Sequence, residues 1–198
     1  STLSSSSAAS DVYKRQKELG GVRIAAPPVG ATDIEGFDLF AAAKRYYDLC
    51  EVGRNEGITP QLELWGFSKT LSRLGELAFV ATEAGHPDAC ILPDIYHIYK
   101  GGSSFEGLKM LNGQHIHCFH VNDYPADPTR ATIADKHRVH VGDGIAPVTQ
   151  ILQMVYKAGC RGMLSLELFN PDYWKQDPLQ VATEGLAKVK AAVAKAFG

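Results

Sequence analysis

The chain is poor in cysteine and tryptophan, carries no excess of either charge, and has no long apolar run. Four cysteines occur in 198 residues, at 50, 90, 118 and 160, and no two form a C-x-x-C pair. That excludes a disulfide frame and a thiolate zinc knuckle; they read as free thiols in a reducing setting, which favours the cytoplasm while leaving the compartment open. Twenty basic against 22 acidic side chains give a net charge of −2, which argues against nucleic acid as a partner. No apolar stretch approaches the roughly 18 residues of a bilayer span, so no membrane partner is expected. No G-x-G-x-x-G follows a strand pattern, so a dinucleotide site has no support. What is present, 45% hydrophobic and 21% charged residues, is the composition of a folded globular protein, not a disordered one.

The first sixteen residues differ from the rest. Six of the eleven serines lie in the first ten positions, and such polar tracts bury too little surface to fold. The stretch also lacks the apolar centre of a secretory signal. Residues 11–16 (DVYKRQ) read as a translation of GATGTGTATAAGAGACAG, which resembles a transposon end used in sequencing-library adapters. Residues 1–16 are therefore expected to be an adapter artefact or a disordered tail, and 17–198 the folded part. Without Asp11, Lys14 and Arg15 the remainder has 18 basic and 21 acidic side chains, a net of −3.

From residue 17 onward, short apolar runs alternate with helical patterns. Strands are expected at 22–28, 59–65, 89–94, 114–122 and 162–168. Helices are expected at 36–51, 68–84, 105–111, 147–158 and 180–197, with Gly85 and Gly159 as stops. Five strands, each followed by a helix, predict parallel βαβ units in an α/β fold. Either a doubly wound sheet or a barrel fits, although a complete (β/α)8 barrel needs about 250 residues.

Four of these strands carry a metal-ligand type at or near the C-terminal end: Glu63, Asp94, His120 and Glu167. That end is the active face of barrel enzymes. Side chains alternate along a strand, which puts Glu63 with Gln61, His120 with Cys118, and Glu167 with Ser165. Leu62, Leu64, Leu164, Leu166 and Leu168 then point the other way. One glutamate ending a strand is ordinarily a solvated loop residue; four strands doing the same predict a site. Three carboxylates and one imidazole form a hard donor set, suited to one divalent ion, Mn²⁺ first and Mg²⁺ or Co²⁺ as alternatives. Without a cation the acids would repel one another.

Several other residues invite chemical readings. His97, three residues after Asp94, is a candidate substrate contact. His115 and His117 have the opposite parity to His120, so they are expected to pack against helices and not to bind metal. Residues 100–104 (KGGSS) could cradle an anion, but Ser103 and Glu106 have the spacing of a helix capping box. Arg138 could clamp an oxyanion or be a surface charge. The GDG turn at 142–144 is a weak signal by itself.

These residues give the chain a resemblance to the sugar phosphate isomerase/epimerase members of the xylose-isomerase-like TIM-barrel superfamily, over roughly 17–198. It is carried by LELW at 62–65, DIYH at 94–97, HVND at 120–123, RVHVGDG at 138–144 and LEL at 166–168. The resemblance implies a partial (β/α)8 TIM barrel, the C-terminal five βα units of an N-terminally truncated fragment. It implies Glu63, Asp94, His120 and Glu167 as metal ligands, His97 and Arg138 as substrate-binding residues, and Glu63 and Glu167 as the catalytic proton shuttle. A metal on a carbonyl and its neighbouring hydroxyl stabilises an enediolate, and two carboxylates can move the proton. The expected activity is isomerisation or epimerisation of a ketose or related hydroxy-ketone, the small-molecule partner.

The alternatives are a dehydratase (lyase) on a keto-inositol, an endonuclease-type metal hydrolase on the same barrel, and a non-catalytic half barrel. The endonuclease would want a basic groove and more metal-binding histidines. An open sheet with two exposed edges predicts a fragment that is poorly soluble or inactive alone, and the full-length protein could be a homo-oligomer.

Overall fold

The computed structural model describes Thr2–Gly198, with side chains from residue 10 onward. The chain divides into two compact units, Ser1–Leu92 and Pro93–Gly198.

In the first unit the elements run α1 (Thr2–Glu18), β1 (Arg23–Ala26), α2 (Leu39–Glu56), β2 (Thr59–Glu63), α3 (Leu74–Ala84) and β3 (Ile91–Leu92). The strands pair in parallel in the order β1-β2-β3, with Ala25 opposite Gln61 and Glu63 opposite Leu92. Asp38 caps α2 by accepting from the Phe40 N–H, and Gly57 closes it at φ +74°, a conformation open to glycine at no steric cost. α3 starts six residues later than its apolar pattern suggests. The Glu76 carboxylate accepts from the Ser72 and Arg73 N–H groups, which fixes the helix start there. Leu74, Leu77, Val80 and Ala84 form its buried stripe. The Tyr46 hydroxyl lies 2.9 Å from the Pro60 carbonyl and 2.7 Å from that of Cys90, and accepts from the Cys90 N–H. It ties α2 to the strands. Burial pushes the nearby thiols up, Cys50 to about 12 and Cys90 to about 11.

The segment expected from the sequence to be an adapter artefact or a disordered tail falls within α1. α1 is helical, with Tyr13 buried, the Ser10 hydroxyl donating to Glu56, and the Gln16 amide donating to the Arg23 carbonyl. One buried aromatic ring supplies the apolar contact that the serine count conceals. The side chains of residues 1–9 lie outside the described residues.

The second unit contains α4 (Ile95–Lys100), β4 (Cys118–Val121), α5 (Val148–Lys157), β5 (Met163–Leu166), α6 (Pro171–Trp174) and α7 (Pro178–Phe197). Three 3-10 turns, Phe105–Met110, Gly113–His115 and Asp135–His137, connect them. β4 and β5 pair in parallel, His120 opposite Ser165, and Asp94 forms a parallel bridge with His120. Alternation in β4 follows the sequence: Phe119 and Val121 are buried, whereas Cys118 and His120 are half-buried.

α5 buries Val148, Ile151, Leu152 and Val155, the stripe of an amphipathic helix. Asp177 caps α7 and Pro178 opens it. A Cβ at Gly185, in the middle of α7, would come within 2.4 Å of the Leu166 side chain and 3.1 Å of the His140 ring. The glycine lets α7 lie against β5. Among the described residues no helix is long and apolar enough to cross a membrane.

Two local expectations fail here. The strand expected at 114–122 is preceded by a 3-10 turn, so His115 has no strand parity and is exposed instead of packed. The cap of the 105–110 turn is Ser104, whose hydroxyl accepts from the Glu106 N–H, and not Ser103.

Candidate metal centre

In the second unit Asp94, His97, His120, Arg138 and Glu167 meet. Asp94 follows β3 and caps α4, its Oδ1 accepting from the His97 N–H at 2.9 Å. This capping bond fixes the D-x-x-H spacing: the acid stays at the strand end while the first helical turn carries His97 beside it. His120 comes from β4, and Glu167 directly follows β5. Arg138 leaves the 135–137 turn.

Asp94 is fully buried, and its Oδ2 accepts from the Asn122 side-chain amide at 3.0 Å and lies 3.4 Å from Arg138 Nη1. Burial pushes the Asp94 carboxyl up, opposed by the Arg138 guanidinium and the His97 N–H. Arg138 Nη1 donates to Glu167 Oε2 at 2.8 Å, and Nη2 donates to His97 Nε2 at 2.8 Å and to Asp135. The Tyr96 and Phe169 rings lie 4.5 and 5.1 Å from the guanidinium carbon, within cation–π range. Burial works against the charge on Arg138, but Asp94, Asp135 and Glu167 together hold it. Burial, then Arg138 and His120, push His97 down to about 2. His97 is therefore a neutral imidazole, and accepting at Nε2 assigns its proton to Nδ1.

His120 Nδ1 is buried and makes no hydrogen bond among the described residues. It lies 3.7 Å from Asp94 Oδ2 and 3.5 Å from Glu167 Oε2. Ligand atoms at about 2.0–2.2 Å from a shared divalent ion sit about 3–3.6 Å from one another. The spacing to Glu167 lies within that range and the spacing to Asp94 just beyond it, and the orphaned imidazole nitrogen with two carboxylate oxygens is a donor set suited to a divalent cation. Asp94, His97 and Glu167 also each offer a ligand atom within 4.8 Å of the others. Glu63 ends β2 in the first unit, half-buried, and follows buried Gln61, whose Oε1 has no partner among the described residues.

Asn122 and Asp123 lie within the HVND stretch but, like Asp135, are not among the candidate site residues picked out from the sequence. Asn122 Oδ1 accepts from the Tyr96 N–H at 3.0 Å while its amide serves Asp94. Asp123 accepts from the Tyr124, Gly142 and Ala146 N–H groups. A Cβ on Gly144 would lie 2.3 Å from its Oδ1, so the GDG turn exists to wrap a buried carboxylate. Lys100 donates to the Arg130 and Ala131 carbonyls at 3.1 Å; its ammonium holds a loop instead of an anion.

An acid and imidazole cluster beside the C-terminal ends of parallel strands is the arrangement expected on the active face of a barrel. A family model described as xylose isomerase-like TIM barrel matches residues 10–192, and the chain belongs to that family. It is 25% identical over 158 residues to the inosose isomerase of Bacillus velezensis, covering 79% of this chain and 56% of that protein. It spans about half the length of the curated relatives it matches. Among solved structures, the IOLI protein with a bound zinc atom superposes at a TM-score of 0.88, with 20% identity, 97% of this chain and 70% of that one. A D-psicose 3-epimerase of Clostridium cellulolyticum gives 0.74, with 16% identity, 98% and 71%. These likenesses place the chain in the α/β TIM-barrel fold.

Proposed function

We propose that this chain carries the metal-binding and proton-handling residues of an isomerase or epimerase acting on a keto-inositol, a ketose or a related hydroxy-ketone. The observation that carries the proposal is the buried His120 Nδ1, unpartnered and facing two carboxylates beside a neutral His97 and a charged Arg138. The names of the relatives, inosose isomerase and D-psicose 3-epimerase, support the same reaction class.

Asp94, His120 and Glu167 would hold one divalent ion, with Glu63 proposed from the sequence as the fourth ligand. Mn²⁺ is the proposed ion, Mg²⁺ and Co²⁺ are alternatives, and the zinc of the IOLI structure adds Zn²⁺. When bound, the ion supplies the Lewis acidity that stabilises an enediolate. Glu167 carries a proton between the base position and the substrate carbon, and Glu63 is proposed to carry it on the other face. His97 and Arg138 bind and orient substrate oxygens.

The test has two parts. Metal titration of the 198-residue chain should give one Mn²⁺ or Zn²⁺ per chain, lost in His120→Ala. With metal, incubation with keto-inositols and ketoses in D2O should place deuterium next to the carbonyl, and Glu167→Gln should abolish it. Neither binding nor exchange would remove the proposal. Exchange with loss of a hydroxyl would assign the dehydratase instead.

A further inference from the structure

The guanidinium of Arg138 faces two ways. Nη1 serves Glu167 Oε2 at 2.8 Å and lies 3.4 Å from Asp94 Oδ2, the same two oxygens that face His120 Nδ1. Nη2 serves His97 and Asp135, neither of which is among the proposed metal ligands. A guanidinium stays charged throughout the working pH range. It therefore competes with any divalent ion for Asp94 and Glu167 and cannot yield by losing a proton. The Nη2 end is held independently of those oxygens, so releasing them leaves the side chain anchored.

We propose that Arg138 is the resident cation of this site: Nη1 neutralises Asp94 and Glu167 until a divalent ion takes over those oxygens, and Asp135 holds the Nη2 end throughout. The inference rests on the proposed metal site and adds a function for Asp135 as a positioning residue. Once its Nη1 is released, Arg138 has a free donor beside His97, directed to the region where a substrate oxygen would bind. Metal binding and oxyanion binding are then coupled through one side chain. In the absence of metal, the same arginine keeps two carboxylates from repelling each other.

The test is Mn²⁺ binding by titration calorimetry, with thermal unfolding with and without Mn²⁺, on the unmodified chain, R138Q and D135N. In R138Q the competing charge is gone. Its Mn²⁺ dissociation constant should fall at least tenfold, its metal-free midpoint should drop, and its midpoint gain on adding Mn²⁺ should exceed that of the unmodified chain. In D135N the Arg138 fork keeps only His97 at its far end and leans more on Asp94 and Glu167, so Mn²⁺ binding should weaken at least threefold. A merely structural role would lower both midpoints equally with and without metal and leave the affinities alone, which overturns the inference. If R138Q does not fold, the D135N affinity decides by the same threshold. An unmodified chain that binds no Mn²⁺ removes both this inference and the site beneath it; binding that neither variant alters removes this inference alone.

Discussion

Replacing Asn122 with alanine tests whether the carboxylate of Asp94 is held in place by design of the surrounding chain. Asn122 is fully buried and makes three hydrogen bonds: it accepts from the Tyr96 N–H and donates to Asp94 Oδ2, both at 3.0 Å, and donates to the Glu167 carbonyl at 3.5 Å. Removing the acceptor leaves a buried N–H without that partner, at a cost of about 1–3 kcal/mol. The donor bond to a charged group contributes about 1.5–3 kcal/mol more. Because the two losses share one side chain and are not strictly additive, a total of about 3 kcal/mol is expected from the single-bond magnitudes. For a chain of this size that corresponds to a midpoint lower by about 6–12 °C. Urea and thermal denaturation followed by circular dichroism measure it. Asn122→Asp sharpens the test, since it keeps the shape but sets a second carboxylate against Asp94. It should be no more stable than the alanine variant without metal and should regain stability with Mn²⁺. A loss below about 1 kcal/mol in Asn122→Ala, with Asn122→Asp as stable as the unmodified chain, would refute the reasoning.

Other outcomes follow from particular contacts. Burial lowers the pKa of both His97 and His140, so below the ordinary histidine value of about 6.5 the unfolded chain binds protons that the folded chain does not. Stability should therefore fall as pH drops from 6.5 to 5, by up to about 1.4 kcal/mol per pH unit from His97, with His140 acting in the same direction. Denaturation midpoints across that range check the slope, and an increase in stability would contradict the sign. His140 has neither ring nitrogen hydrogen-bonded among the described residues and packs against Tyr173 in a tilted contact, ring centroids 4.4 Å apart. His140→Phe should consequently cost less than about 1 kcal/mol and reduce that pH slope. Gly185→Val should destabilise by more than about 1 kcal/mol despite ordinary helix propensities favouring valine, because its Cβ meets Leu166; an unchanged midpoint would argue against the close approach of α7. Lys100→Ala should speed limited proteolysis at 129–132 without changing phosphate binding, which is expected to be absent in both chains.

The parts of this fold that were legible are those written locally. Gly85 ends α3, and the alternation of Phe119 and Val121 with Cys118 and His120 sets the faces of β4. Four residues of the candidate site in the second unit stand out in the sequence for a related reason. Asp94, His97, His120 and Glu167 each stand at or just beyond the end of an apolar run, where polarity has a cost unless it has a use. Arg138 was legible only through its motif. Asp135 and Asn122 had no comparable signal, since Asn122 lies just past the end of β4, where strand parity stops applying. Lys100 shows the opposite failure: beside two glycines it looks like an anion ligand, yet carbonyls 30 and 31 residues away occupy it. The N-terminal helix was missed because a count of serines says nothing about what Tyr13 can bury.

The thiols of this chain make a reporter of its opening. Cys50 and Cys90 belong to the first unit and Cys160 to the second, and all three are buried. With Cys50 near 12 and Cys90 near 11, the two thiols of the first unit hold almost no thiolate at neutral pH, and only the thiolate attacks an alkylating reagent. Alkylation of either therefore has to wait for the first unit to expose it, and that of Cys160 for the second. Mass-resolved labelling of the native chain would time the two units separately, and would show whether an added metal slows one clock or both.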